Sequence, residues 1–360
     1  MLKKITQFLK TQNQPKVATI KPSGQTIEIP GRQTLLKAAI GQGLAFPHHC
    51  TVGTCGNCRC KLLKGDIKEV RDFSYTLSNS EIKDGYILAC QTVLKSDIEI
   101  ELDFDEAAVA ASSYQAKITH TLKLTHDIIE ITVQLDNPIQ FVAGQYADIK
   151  LPGFDRPRSY SFAMPPALDG SNTLKFYIRL VPGGAYTEWL FAEDRCGEKF
   201  ELLAPFGNFR LRASEAPIIC IAGGSGMAPI KAILEDALKQ NIKRPITFLF
   251  GAREQKDLYC LDEMQALKDQ WPVHFDFCPI LSEEPEDSDW QGKRGLVTEF
   301  INADAAGLTG LTRIAISDCH AYLCGPPGMI DAALLALEAA NVDTDNIHYD
   351  KFLDARQLDS

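Results

Sequence analysis

The chain has 360 residues, 45% hydrophobic and 23% charged, with a formal net charge of −10 at pH 7. That length and balance point to two or three globular domains and exclude fibrous and disordered architectures. The charge divides unevenly, +3 over residues 1–105 and −13 over the rest, and an acidic majority without a basic stripe excludes nucleic acid as a partner.

At the start, Met1 to Lys10 places Leu2, Ile5, Phe8 and Leu9 on one helical face among three lysines. We read residues 1–14 as an amphipathic leader. It has no long apolar core and no small-residue cleavage site, so no signal peptide is expected. No apolar run approaches the roughly 18 residues that span a bilayer. A cytoplasmic location follows as an expectation, and eleven cysteines in a reducing pool are read as ligands or core thiols. The basic leader can lie peripherally on the inner membrane face or pack on the domain that follows it.

Residues 15–105 hold short β-type runs (Val17–Lys21, Thr26–Ile29, Ile98–Leu102), a helical stretch near Thr34–Ile40 and a cysteine-dense loop. Cys50, Cys55 and Cys58, with Cys90 downstream, form the C-x4-C-x2-C…C spacing of a plant-type [2Fe–2S] cluster. Gly53 and Gly56 let backbone amides approach the sulfurs. Zinc loops favour paired C-x2-C instead. Cys60 is read as a buried thiol, and His48 and His49 as loop residues, because His-His-Cys lacks the paired boxes of Rieske ligation.

A small-residue linker, 106–113, leads to residues 114–212, whose closely spaced strands and Gly/Pro turns suggest a small antiparallel barrel. There the strand Arg158-Ser159-Tyr160-Ser161 suits a flavin. The arginine can neutralise a phosphate, the tyrosine can lie against the ring or ribityl chain, and Ser161 can hydrogen-bond near the reactive nitrogen. Arg179 ends a later strand, and Gly183 and Gly184 precede a helix beginning near Thr187, where their amides would face a pyrophosphate.

From residue 213 to 360 the pattern becomes strand, Gly-rich turn, helix, strand, as in a doubly wound α/β domain. Gly223-Gly224-Ser225-Gly226 forms the first turn. Cys324-Gly325-Pro326 closes a second strand at the edge where such sheets bind ligands. By position alone, Cys324 is equally a core thiol or a soft side chain beside a nicotinamide. Arg253, after the second strand, could accept a 2′-phosphate, whereas Glu254 and Asp257 would repel one.

With these motifs in this order the chain resembles the ferredoxin–NAD(P)⁺ reductase superfamily, in the form with an N-terminal plant-type ferredoxin domain that serves xylene, methane, phenol and toluene monooxygenases and benzoate dioxygenase. Phe46-Pro-His-His-Cys50, Ala143-Gly-Gln-Tyr146, Phe250-Gly-Ala-Arg253 and Tyr322–Pro327 support the resemblance. It implies a multidomain α+β, β and α/β protein: a β-grasp ferredoxin domain, a Greek-key FAD-binding barrel and an NAD-binding α/β domain. Cys50, Cys55, Cys58 and Cys90 would hold the cluster. Arg158, Ser159, Tyr160, Ser161, Arg179, Gly183, Gly184 and Thr187 would hold FAD. Gly223–Gly226, Cys324, Gly325 and Pro326 would frame NADH, and Phe352 would cover the flavin, although eight residues follow it. Ser161, Cys324 and Phe352 would form the environment of the hydride step, with no acid/base dyad.

The implied function is an NADH-dependent reductase, a monomer, feeding a separate non-haem diiron hydroxylase of hydrocarbons or alkyl-aromatics. The same chain could serve a Rieske dioxygenase or a sugar-deoxygenation enzyme. A redox-sensing module is disfavoured by the intact hydride port.

Overall fold

The computed structural model describes residues 15–44, 46–48, 53, 56, 58–77, 79–102, 111–154, 156–301 and 315–352. The leader, Cys50, Cys55, His49 and the linker up to residue 110 lie outside these. Contacts divide the chain into two compact units, 1–110 and 111–360.

In the first unit, β1 (Lys16–Lys21) and β2 (Thr26–Ile29) are followed by α1 (Leu35–Gly41), β3 (Arg59–Lys64), β4 (Ile67–Glu69), α2 (Asn79–Lys83), β5 (Tyr86–Leu88), β6 (Thr92–Leu94) and β7 (Ile98–Glu101). The main sheet runs β2-β1-β7-β3-β5, with β1 parallel to β7, and β4 pairs with β6 in a separate ribbon. Alternation turns Ala18, Ile20, Ile27, Ile29, Ile98 and Ile100 to one side, where they pack with Leu35, Leu36, Ala38 and Ala39 of α1. Thr34, expected inside the helix, is its cap instead: its hydroxyl accepts from the Lys37 N–H at 3.4 Å.

The second unit begins with β8 (Ser112–Lys123), so the last two residues assigned to the linker already belong to a strand. It continues through β9 (Ile128–Ile139), β10 (Tyr146–Lys150), β11 (Arg158–Ser161), β12 (Ser171–Arg179), α3 (Ala185–Ala192) and β13 (Lys199–Phe206). The order β11-β10-β13-β8-β9-β12 is antiparallel throughout. A bridge between Phe162 and Phe176 joins its two ends and closes the barrel. Both phenylalanines are fully buried, alongside Ile131, Val133 and Leu174.

The same unit then forms β14 (Ile218–Gly223), α4 (Met227–Lys239), β15 (Ile246–Ala252), α5 (Leu261–Gln270), β16 (Phe275–Leu281), β17 (Lys293–Arg294), β18 (His320–Gly325), α6 (Pro327–Ala339) and β19 (Ile347–Lys351). All six strands are parallel in the order β17-β16-β15-β14-β18-β19. β14 is buried at every position, as a central parallel strand covered on both faces must be. The strand order reverses between β14 and β18, which opens a crevice at their carboxyl ends. One apolar cluster contains Ile128, Ala143, Ala163 and Tyr177 of the barrel together with Met227, Tyr259 and Cys324 of the α/β part, so the crevice faces the barrel. No helix among the described residues is long and apolar enough to cross a membrane.

Candidate functional site

Cys58 precedes β3, and Cys90 sits in a one-turn 3-10 helix, Ala89–Gln91, directly after β5. Because Arg59 pairs with Leu88 across these antiparallel strands, the two cysteines meet at the strand ends. The Cys90 N–H donates to Cys58 Sγ at 3.4 Å, and Gln91 Nε2 donates to Cys90 Sγ at 3.6 Å. Both residues are buried, and neither is in a disulfide. Donors aimed at buried sulfurs stabilise thiolates and the clusters they hold, so this half of the ligand set fits a [2Fe–2S] group; Cys50 and Cys55 lie outside the described residues. Gly53 is needed for two reasons. Its φ is +89°, and a Cβ there would stand 2.6 Å from Gln91 Cγ; its carbonyl accepts from Thr76 Oγ1 at 2.5 Å. Cys60 belongs to the core of this unit, where burial pushes its thiol up. The His48 ring is held with Nδ1 2.7 Å from the Phe46 carbonyl.

On β11, alternation puts Arg158 and Tyr160 on one side and Ser159 and Ser161 on the other. Arg158 Nη1 donates to the carbonyls of Arg156 and Pro157 at 3.2 and 3.0 Å, and no carboxylate pairs with it among the described residues. The Tyr160 ring lies 5.9 Å from that of Tyr186 in the first turn of α3. Burial raises both phenols, while the Arg158 charge acts to lower both, so this guanidinium stands beside the strand and the helix start alike. A cation near a helix start, with no carboxylate partner among the described residues, fits a phosphate group. Ser159 Oγ donates to Asp148 Oδ1 at 2.7 Å, and Ser161 is buried opposite Tyr146.

The turn before α3 differs from expectation. The Gly183 N–H donates to Glu188 Oε1 at 2.7 Å, and the Gly184 N–H donates to the Val181 carbonyl at 2.8 Å. These two amides are therefore committed inside the turn and do not face a pyrophosphate. The helix-start amides are those of Ala185, Tyr186 and Thr187, which have no intrahelical acceptor. Thr187 Oγ1 accepts from the Val181 N–H at 3.0 Å and donates towards the Gly184 carbonyl at 3.1 Å, shaping the turn from within.

At the α/β crevice the two turns are pressed together. A Cβ on Gly226 would stand 2.1 Å from the Cys324 carbonyl oxygen, and one on Gly325 3.0 Å from that of Gly223. Glycine here creates the close backbone approach that a dinucleotide turn needs. Gly224 has a φ of +55° and its carbonyl accepts from Tyr259 OH at 2.8 Å. Ser225 lies between these glycines, and Pro326 caps α6. Cys324 is fully buried, and burial raises its thiol well above the ordinary value; it is a protonated core group under the turn. The Phe352 N–H donates to the Gly325 carbonyl at 2.9 Å, and its half-buried ring packs on the cluster shared with the barrel.

Across the seam, Arg179 at the end of β12 reaches the nucleotide turn: its Nη1 lies 3.4 Å from where a Gly224 Cβ would stand. Its Nε donates to Asp127 Oδ2 at 3.1 Å, and Arg253 Nη2 donates to the same oxygen at 3.0 Å. Asp127, Tyr186 and Glu188 were missed by sequence reading, since their partners are set by folding rather than by any local pattern.

Three family descriptions match the chain in succession: a 2Fe-2S iron-sulfur cluster binding domain over residues 18–95, an oxidoreductase FAD-binding domain over 115–211 and an oxidoreductase NAD-binding domain over 220–334. The xylene/toluene monooxygenase electron transfer component of Pseudomonas putida is 42% identical over 342 residues, 94% of each chain. The phenol 2-monooxygenase reductase component of a Pseudomonas species is 33% identical over the same shares. Among solved structures, an Amycolatopsis cytochrome P450 reductase is similar with a TM-score of 0.69 and 30% identity, over 94% of this chain and 99% of that one. The ferredoxin reductase of a carbazole 1,9a-dioxygenase reaches 0.65 at 27% identity over the same shares. Cluster-, flavin- and nicotinamide-binding domains in this order, matched over nearly the full length of such relatives, place the chain in the family of reductase components that pass electrons to multicomponent oxygenases.

Proposed function

We propose that the chain takes electrons from NADH at the β14/β18 crevice and delivers them, through FAD and the [2Fe–2S] cluster, to a separate non-haem diiron hydroxylase of hydrocarbons or alkyl-aromatics. The observation that supports the reading is the seam at which Arg179 of the barrel meets Gly224 of the nucleotide turn, because a flavin held by the barrel would there lie against a nucleotide held in the crevice. FAD, when bound, accepts an electron pair from NADH and gives electrons up singly, as a one-electron cluster requires. The chain's own residues bind and orient. Arg158 and the start of α3 neutralise the flavin pyrophosphate, Tyr160 and Ser161 line its barrel side, and Phe352 covers it. Ser159, Arg179, Gly183, Gly184 and Thr187 shape the supporting strands and turns. Gly223, Gly224, Ser225, Gly226, Gly325 and Pro326 receive the nicotinamide nucleotide over the buried Cys324. Cys50, Cys55, Cys58 and Cys90 hold the cluster. No general base is needed, and a protonated Cys324 could not serve as one. We place the domain limits at 15–105, 112–212 and 213–360, the second opening with β8. Relatives named for xylene, toluene and phenol monooxygenases support a monooxygenase as the acceptor.

An anaerobic NADH titration of the purified holoprotein tests the reading. About three electrons should enter each chain, two on the flavin and one on the cluster, with a low-temperature EPR signal from the reduced cluster. Flavin bleaching without that signal would overturn the path and leave a flavin reductase. Arg158→Ala should weaken FAD retention by about tenfold or more, the effect of losing a charge-assisted bond of about 1.5–3 kcal/mol. The FAD:protein ratio after dialysis measures this, and an unchanged ratio would remove Arg158 from the flavin site.

A further inference from the structure

Asp127 lies in the turn between β8 and β9 of the barrel, yet both cations it binds stand at the nucleotide crevice. Arg179 Nε and Arg253 Nη2 share its Oδ2 at 3.1 and 3.0 Å; against the effect of burial, the Arg179 charge and hydrogen bond, with the Thr125 hydroxyl and His126, hold its carboxyl below the usual range. Arg253 follows β15 directly, and Gly251 pairs with Gly223. The guanidinium therefore stems from the strand end beside the nucleotide turn, where doubly wound domains distinguish a ribose 2′-hydroxyl from a 2′-phosphate. A free arginine there would favour the phosphate. This one is drawn away: besides Asp127, Asp257 Oδ2 lies 3.4 Å from its Nε. Asp257 is itself buried and fixed by the Glu254 N–H, which donates to it at 3.1 Å, and His126 Nδ1 faces it at 3.3 Å. The remaining charges of the loop, Glu254 and Lys256, pair with each other.

We infer that Asp127 is a positioning residue that sets the choice of nucleotide: by holding Arg253 against the barrel, it withholds from a 2′-phosphate the guanidinium that follows β15 and so favours NADH over NADPH. This rests on the crevice being the nicotinamide site, as proposed above. Removing the Asp127 charge acts twice in one direction, since it releases Arg253 and deletes an anion that would repel the phosphate.

The test uses the FAD- and cluster-loaded protein, with cytochrome c as acceptor and kcat/KM measured for both nucleotides. Asp127→Asn is expected to raise the NADPH/NADH ratio of kcat/KM at least about tenfold, chiefly through a lower KM for NADPH. Asp127→Glu should restore the original ratio, and Asp127→Asn with Arg253→Ala should lose most of the gain. Should Asp127→Asn fail to retain FAD, Asp257→Asn loosens Arg253 from its other side and should shift the ratio the same way. A ratio unmoved in both aspartate variants would overturn the inference, as would a gain that survives removal of Arg253, or a wild-type preference for NADPH that Arg253→Ala abolishes. Failure of the wild type to oxidise either nucleotide would instead overturn the functional reading.

Discussion

Gly226→Ala is expected to cripple NADH use while leaving the first unit and its cluster in place. The added methyl would sit 2.1 Å from the Cys324 carbonyl oxygen, and the next nearest atoms, Cys324 C and Gly325 N at 2.5 and 3.0 Å, are also backbone. No side chain can swing aside, so the two turns must separate. The φ of Gly226 is −61°, well within the range of alanine, so the cost comes from crowding alone. Overpacking of this kind costs about 1–3 kcal/mol. Because the parted atoms form the floor of the crevice, we expect KM for NADH to rise at least about tenfold, with a fall in the thermal midpoint of flavin release. Gly328→Ala is the matched control. Nothing lies within 4 Å of its Cβ position in α6, and alanine in a helix should be neutral or stabilising by up to about 1 kcal/mol. Equal effects at the two positions would mean that the contact between turns is unimportant.

Cys90→Ala should separate the two halves of the electron path. The residue is 4% exposed and its backbone N–H is bonded to Cys58 Sγ, so alanine preserves the fold of the 3-10 turn while deleting the sulfur. The cluster's visible absorbance should vanish, and NADH-driven cytochrome c reduction should fall by about two orders of magnitude. Reduction of ferricyanide, which draws on flavin directly, should persist. Retained absorbance would remove Cys90 from the ligand set. Loss of both activities would show instead that the flavin-binding unit depends on the cluster for its folding. Cys60→Ala, two residues past Cys58 and buried in the core, should keep the absorbance and lose only packing stability.

The cluster loop and the glycine turns were legible because their chemistry is local. Three cysteines within nine residues and the four residues from Gly223 to Gly226 carry their meaning in spacing, and the family resemblance supplied the order of domains. The strands β16, β17 and β19 and the helix α5 were harder to read. β16 includes Pro279 and is only partly buried over its middle four residues, and β17 is two residues long, so neither shows a clean period. The Gly183 and Gly184 amides were misread because Glu188, one helical turn on, takes the first of them, a bond that depends on how the helix begins. Asp127 was invisible for a simpler reason: its partner Arg253 is 126 residues away, and only the closed seam between barrel and α/β sheet brings the two charges together.

The closure of the barrel by Phe162 and Phe176 has a consequence for how this protein behaves in company. A barrel whose outermost strands are joined by this bridge leaves less unpaired edge, among the described residues, than an open sheet of the same strands would. Elsewhere the outermost strands are short: β2 has four residues, β5 three and β17 two, while β19, at five, carries a lysine and an aspartate. Long bare edges are where one chain recruits another into permanent strand pairing and aggregation. A carrier that must meet its acceptor, discharge and let go repeatedly gains from having edges too short to turn a passing encounter into a lasting one.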